Sequence, residues 1–404
     1  MTHKSIANYP VFKCRQAVER LREGLFDPLA VQCLTVQEQR FNQTLQQIWQ
    51  SFSNNKPTSL SICGAYGQGK SHHLTYCHEQ ALQQGFASSF INLDPREIPF
   101  QQFHQVYRAL VSNIVFSEHD HSLSKYWQKW IKQHIETTEP EQIEAQILQL
   151  LPNIPHLLKC LLIALAQNTE RLTAKQKLQK KHKNFRPREF PYLLEKALLG
   201  EVIPVLKLRH ALKYRHCSII RQASLTCKKP HDWLLMLQGI AQLIKLMGLK
   251  GWVLLFDEGE SIAQLRLPAR HRSYQLLQHF FKPDHFQPIL PVFAFTDHFF
   301  QTLENENYEK IKTVQQQEQL YFSENYANSW KNIKQYQLQD LSQDEWQQLI
   351  VKLVELYQHA YQFQQTDSVK IIALLQQQLS HNDGIETRFR LKALVNELDL
   401  YFQK

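Results

Sequence analysis

The sequence predicts an α/β protein with a parallel-sheet core, interrupted by a large helical insertion and closed by a C-terminal helical lid. Three observations carry this. Several short, continuously apolar runs end in polar or glycine-rich turns, the pattern of strands buried on both faces. Between and beyond them lie long stretches with apolar residues three and four apart, the helical period. Glycine is scarce, 11 in 404 residues, well below the usual ~7%. Yet Gly64, Gly67 and Gly69 fall within six residues, so glycine is concentrated where the backbone needs unusual dihedrals or a close approach to a ligand.

In chain order, residues 11–56 read as helical, with Phe12, Ala17 and Leu21 and then Val36 to Phe52 on helical spacing and Thr35 as an N-cap three residues before Glu38. Residues 59–63 form a short strand, the glycine loop follows, and a helix runs from about 70 to 84 with Gly85 as its stop. Residues 86–94 supply a second strand. From about 100 to 247 the pattern is helical, punctuated by prolines, with no convincing strand. Residues 251–258 and 287–296 are two further strands, and Pro288 and Pro291 confine pairing in the second to its later part. A weaker fifth strand lies near 334–340. Ser342 then caps a helix to about 363, and two more helices follow at roughly 367–380 and 386–401.

Apolar residues make up 43% and charged residues 21%. This is a globular composition without the ~20 apolar residues in a row of a membrane span. The first ten residues contain no apolar signal region, which leads to the expectation of a cytoplasmic protein. Seven Cys without a C-x-x-C pair argue for reduced thiols rather than a disulfide framework or zinc ribbon. The 19 His show no metal-binding spacing, and His72-His73 read as packing on the first helix after the loop. Net charge is +9, but residues 171–229 alone hold 16 Lys+Arg against three Glu. The basic character is therefore local, and the rest of the chain is net acidic.

The chemistry lies in two places. Gly64-Ala65-Tyr66-Gly67-Gln68-Gly69-Lys70-Ser71 fits G-x-x-x-x-G-K-[ST] between a strand and a helix. In such a P-loop the backbone N–H groups cradle phosphate oxygens, Lys70 reaches the β/γ phosphates and the Ser71 hydroxyl ligates Mg²⁺. Trp252 to Glu258 supplies what the loop lacks. Asp257, at the end of a neighbouring strand, holds the Mg²⁺ shell, and Glu258 is the base that orients water. Glu260 reads as a surface carboxylate, with a further polar contact as its other role. Thr296, at the next strand end, is a candidate for the γ-phosphate or water, the alternative being a helix cap. Arg388 and Arg390 precede an apolar helix face, from which one reaches back to phosphate or both stay on the surface. Arg266, Arg270 and Arg272 are candidate arginine fingers. The basic stretch 171–229, with Phe185 and Phe190 near its richest part, is a candidate DNA contact or a solvated surface.

Taken together, these residues resemble an AAA+-type P-loop NTPase, and more closely the ATP-binding proteins of bacterial BREX phage-resistance systems. The matching text is Leu21-Arg22-x-Gly24, Gly64 through His72, Asn92-Leu-Asp94, Val106-Tyr-Arg108, Leu199-Gly200-Glu201, Leu255 through Glu260, and Thr387-Arg388-Phe-Arg390. Gly259 stands where the resemblance leads one to expect alanine. It implies ATP and Mg²⁺ as cofactors, His72 as part of the nucleotide-binding motif, and partners among DNA, further copies of the chain or other defence proteins. The expected organisation is an N-terminal helical segment 1–56, an ATPase core of 57–100 and 248–340, a helical insertion 101–247 and a lid 341–404. The expected activity is Mg²⁺-dependent ATP hydrolysis coupled to a conformational or assembly step. The alternatives are a nucleotide-gated interaction module with little hydrolysis and a nucleic-acid-binding scaffold with a vestigial site.

Overall fold

A computed structural model describes residues 6–25, 27–36, 38–116, 122–137, 139–167, 189–283, 285–306, 310–312, 318–320, 322, 324–363, 368–381 and 386–403. Its strands are β1 Leu60–Cys63, β2 Ala87–Asn92, β3 Ile114–Val115, β4 Trp252–Asp257, β5 Ile289–Phe295, β6 Lys310–Lys312, β7 Glu318–Leu320 and β8 Gln335–Gln337. Six form one sheet in the order β3-β2-β4-β5-β1-β8, parallel throughout except for β3 on β2; β6 and β7 pair separately as an antiparallel ribbon. The five predicted strands are thus the five parallel strands. The sequence reading misses β3, which is two residues inside a helical pattern and takes its conformation from pairing with Ser88 and Ser89. It misses β6 and β7 as well.

Alternation along the central strands explains the layers. In β4, Trp252, Leu254 and Phe256 face one cluster and Val253 and Leu255 the other; in β5, Phe293 and Phe295 oppose Leu290, Val292 and Ala294. On the first face lie the interposed helices α5 Phe103–Ser112, α6 Leu123–His134, α7 Pro140–Leu150, α8 His156–Ala166, α9 Phe190–Leu198, α10 Val205–Tyr214 and α11 Pro230–Leu246, together with α12 Leu267–Phe281, α13 His298–Glu306 and α14 Tyr326–Trp330, which follow β4 and β5. On the second lie α3 Glu38–Ser53 and α4 Lys70–Gln83. A third cluster gathers α1 Val11–Arg22, α2 Pro28–Leu34, α15 Gln343–Tyr361, α16 Ser368–His381 and α17 Thr387–Gln403.

The N-terminal stretch is therefore not one unit. α1 belongs with the C-terminal helices, α3 (Phe41, Leu45, Ile48) belongs with the sheet, and α2 divides itself, with Ala30, Cys33 and Leu34 in one cluster and Val31 in the other. Helical periodicity alone cannot show which core a helix faces. A bidentate pair closes the third cluster: Arg22 donates through Nε and Nη2 to Asp399 at 2.7 and 2.8 Å, and the Tyr357 hydroxyl donates to the same carboxylate at 2.6 Å.

The prolines of β5 need a correction too. Pairing with β4 begins at Ile289, ahead of Pro291, which stands opposite Leu254. The Pro288 carbonyl accepts from Trp252 N toward β4 and the Phe295 carbonyl from Gly64 N toward β1. By alternation the Pro291 nitrogen faces the β1 side, one residue before β1 pairing starts at Leu60 opposite Val292. The missing donor thus falls where no ladder bond is required.

Two separated motifs of the resemblance prove to be one contact. The Tyr107 hydroxyl donates to Leu198 O at 2.8 Å, Arg108 lies 3.7 Å from Glu201, and a Cβ on Gly200 would come within 2.9 Å of the Tyr107 ring. Gly200 has φ +88°, so glycine is required there on both counts. Within the basic stretch, residues 171–188 lie outside the described residues. Of the rest, Lys207, Arg209 and Lys213 are exposed on α10, whereas Arg215 is buried and donates to Gln167 O.

Candidate functional site

β1 and β4 both run toward one edge of the sheet, where the loops after their carboxyl ends converge. This is where open parallel sheets place ligands. The loop after β1 turns on Gly67 (φ +81°) and Gly69 (φ +96°), left-handed values that a side chain opposes, and Gly69 caps α4. Gln68 holds the loop from within, accepting from Ala65 N at 2.7 Å and donating to Asp340 at 2.9 Å. Lys70 is buried at 8% exposure, with Nζ donating to the Gly64 and Ala65 carbonyls at 3.1 and 3.0 Å. Its ammonium is therefore fixed at the loop's own mouth.

Asp257 does not come from a neighbouring strand, because β5 separates β4 from β1. Nevertheless Ser71 Oγ donates to Asp257 Oδ2 at 2.5 Å, since the first turn of α4 leans across the intervening strand end. The other Asp257 oxygen accepts from Glu258 N at 2.9 Å. Glu258 takes a left-handed conformation (φ 53°, ψ 40°), costly for a residue with a Cβ, and its exposed side chain lines the same space. Among the described residues no group of three or more His, Cys, Asp or Glu converges on a metal position. A cation here would take two protein oxygens, from Ser71 and Asp257, and draw the rest from phosphate and water. That donor set fits Mg²⁺.

These residues line a cavity of about 320 Å³, inside the ~300–1,000 Å³ range of ligand pockets. One half is polar, formed by Tyr66 to His73 with Asp257, Glu258 and Glu260; the other is largely apolar, with Leu21, Leu34, Leu341 and Leu391 from the third cluster beside Leu25 and Val31. Arg388 lines it as well, donating through Nε to the Gly24 carbonyl. Gly67 lies against the C-terminal helices, because a Cβ there would come within 2.5 Å of the Glu386 carboxylate.

Some expected residues are placed elsewhere. Thr296 is half-buried, does not line the cavity, and offers its carbonyl to Phe299 N at 3.0 Å at the start of α13. Arg270 is engaged inside the protein by buried Glu306, which also accepts from the Tyr274 hydroxyl at 2.8 Å, so it is not available as a finger. Arg266 and Arg272 remain exposed. Glu260 is no surface carboxylate: it lines the cavity, its Oε2 is buried without a hydrogen-bond partner, and burial pushes its carboxyl above the ordinary range despite Lys70 nearby. Its i+3 offset from Asp257 in a turn was the available signal.

The chain belongs to the BREX system ATP-binding protein BrxC/D family. The family's model matches residues 13–175 and 221–404, most of the chain, leaving out 176–220 and with it much of the basic stretch. A search of curated proteins finds no match. Membership carries ATP binding in a phage-defence system as the family's description, and no described helix is long and apolar enough to cross a membrane. The mixed α/β architecture, with its mostly parallel six-stranded sheet, suits a P-loop NTPase core.

Within this BrxC/D chain, Gly259 has a local reason. A Cβ there would stand 2.6 Å from the Phe295 ring and 2.7 Å from the Ala294 carbonyl, so the bulky Phe295 excludes alanine. Gly259→Ala is expected to cost about 1–3 kcal/mol, the overpacking range, read as a lowered thermal midpoint, with Phe295→Leu in the same chain recovering part of it. An unchanged midpoint would show that β5 yields freely.

Proposed function

We propose that the cavity binds Mg·ATP and that the chain hydrolyses it, coupling turnover to movement of the C-terminal helical lid against an AAA+-like core. The observation that carries this is the junction of Ser71 and Asp257 above a left-handed glycine loop with Lys70 at its mouth. Few ligands other than a metal-bound polyphosphate use all three. In this reading Gly64 to Ser71 holds phosphate through backbone N–H groups, and Mg²⁺, when bound, neutralises the charge of the transferred phosphoryl group. Lys70 binds the β/γ phosphates. Glu258 accepts a proton from, and orients, the attacking water. Arg388 faces the polyphosphate from the lid, and the apolar half takes the base. Thr296 could reach the γ-phosphate only after a rearrangement of the α13 cap.

The division proposed is a core of 57–100 and 248–340, a helical insertion 101–247 and a lid 341–404 that recruits α1 and α2 from the segment 1–56. Cytoplasmic location, self-association and defence-system protein partners fit the family. A second reading, DNA binding, draws on the exposed Lys207, Arg209 and Lys213 and on the local charge surplus. A nucleotide-gated scaffold with little hydrolysis is the remaining alternative. Calorimetry with Mg·ATP, followed by steady-state phosphate release with and without duplex DNA, separates the three. Binding with turnover supports the ATPase, binding without turnover the scaffold, and no binding removes the nucleotide reading.

A further inference from the structure

His72 follows Ser71 in the loop motif, yet its imidazole is spoken for by another helix. Thr35 was expected to open α3; instead it is the C-cap of α2. Its hydroxyl lies 2.6 Å from Val31 O and 2.7 Å from His72 Nε2. A hydroxyl has one proton, and here it goes to the Val31 carbonyl, so Thr35 Oγ1 must accept and His72 must carry its proton on Nε2. The Thr35 carbonyl, for its part, accepts from Lys352 Nζ at 2.6 Å. Thr35 is buried at 7% exposure. Among these contacts, α2 packs on both α4 and α15.

We infer that His72, Thr35 and Lys352 form a fixed line from the first turn of the phosphate helix to the lid, with His72 acting as a positioning residue rather than a ligand of the nucleotide. This rests on the nucleotide reading above and extends it. The same α1–α2 wall carries Leu21, Gly24 and Leu25 at the cavity, and Gly24 holds Arg388. Any shift of α4 as Ser71 and Lys70 engage phosphate is thereby passed to the wall that presents the arginine and the apolar surface. Conversely, loosening Thr35 lets that wall drift from the loop, although no cavity-facing charge is removed.

The test is a double-mutant cycle read by Mg·ATP calorimetry. Thr35→Val and His72→Ala are each expected to weaken binding about five- to tenfold, with the double variant no worse than the poorer single. His72→Gln, which returns an N–H near the Nε2 position, is expected to recover most of the loss. Additive losses, or a silent Thr35→Val beside a damaging His72→Ala that Gln does not rescue, would make His72 a direct nucleotide contact and overturn the line. Should the variants fold poorly, hydrogen exchange on the wild-type chain decides: nucleotide is expected to slow exchange across residues 29–35 together with 71–75. Protection confined to 71–75 would overturn the inference. Failure of the wild type to bind nucleotide at all is a different result and strikes the underlying reading instead.

Discussion

Lys70→Ala is expected to reduce Mg·ATP affinity by at least about 100-fold while the chain stays folded. The argument is one of charge-assisted bonds. Each hydrogen bond from an ammonium to phosphate contributes about 1.5–3 kcal/mol, and losing two corresponds to roughly 10²–10⁴ in the dissociation constant. The fold should survive because, among the described residues, the hydrogen bonds of Nζ go to the Gly64 and Ala65 carbonyls, at a loop mouth that water can reach. Calorimetry beside far-ultraviolet circular dichroism checks both halves. An unchanged affinity in a folded variant would mean that phosphate is not held by this loop.

Glu258→Gln should do the opposite. Binding is expected to stay within a few-fold of wild type, since Asp257 keeps its bonds from Ser71 and from the 258 backbone N–H. Turnover is expected to fall about 10²–10⁴-fold, the usual contribution of a positioned base. Single-turnover phosphate release with saturating Mg·ATP reads this directly. Normal turnover would take the role of base from Glu258, and Glu260→Gln would be the next substitution, because that buried carboxylate shares the cavity.

Much of the core could be read from residue order because the signals there are local. Parallel strands buried on both faces are continuous apolar runs, and β1, β2, β4 and β5 stand out as such. Gly85 ends α4 with φ +84°, and Ser342 and Glu345 form the capping box their spacing suggests. The glycine loop and the Asp257-Glu258 pair were legible for the same reason: strand, tight turn and charged terminus are adjacent in sequence. What escaped is long-range. That β5 lies between the loop strand and the acidic strand, that α1 packs with helices more than 300 residues away, and that Thr35 serves the helix before it depend on which surfaces meet, and periodicity carries no information about partners. The surroundings of Thr296 and Arg270 are long-range in the same sense, the one at a helix start and the other in a buried ion pair.

The Arg22–Asp399 clamp has a consequence for biogenesis. The phosphate loop is translated early, but the wall opposite it is completed only when residues near 399 have left the ribosome, because among the described residues the buried side chains of α1 all lie in the cluster built with the C-terminal helices. A nascent chain exposed to residue 340 would carry the glycine loop with its partner strands and Asp340 and still lack the enclosure that retains a nucleotide. Arrested ribosomal chains ending before and well after that aspartate should therefore differ in nucleotide retention as sharply as an open hand differs from a closed one.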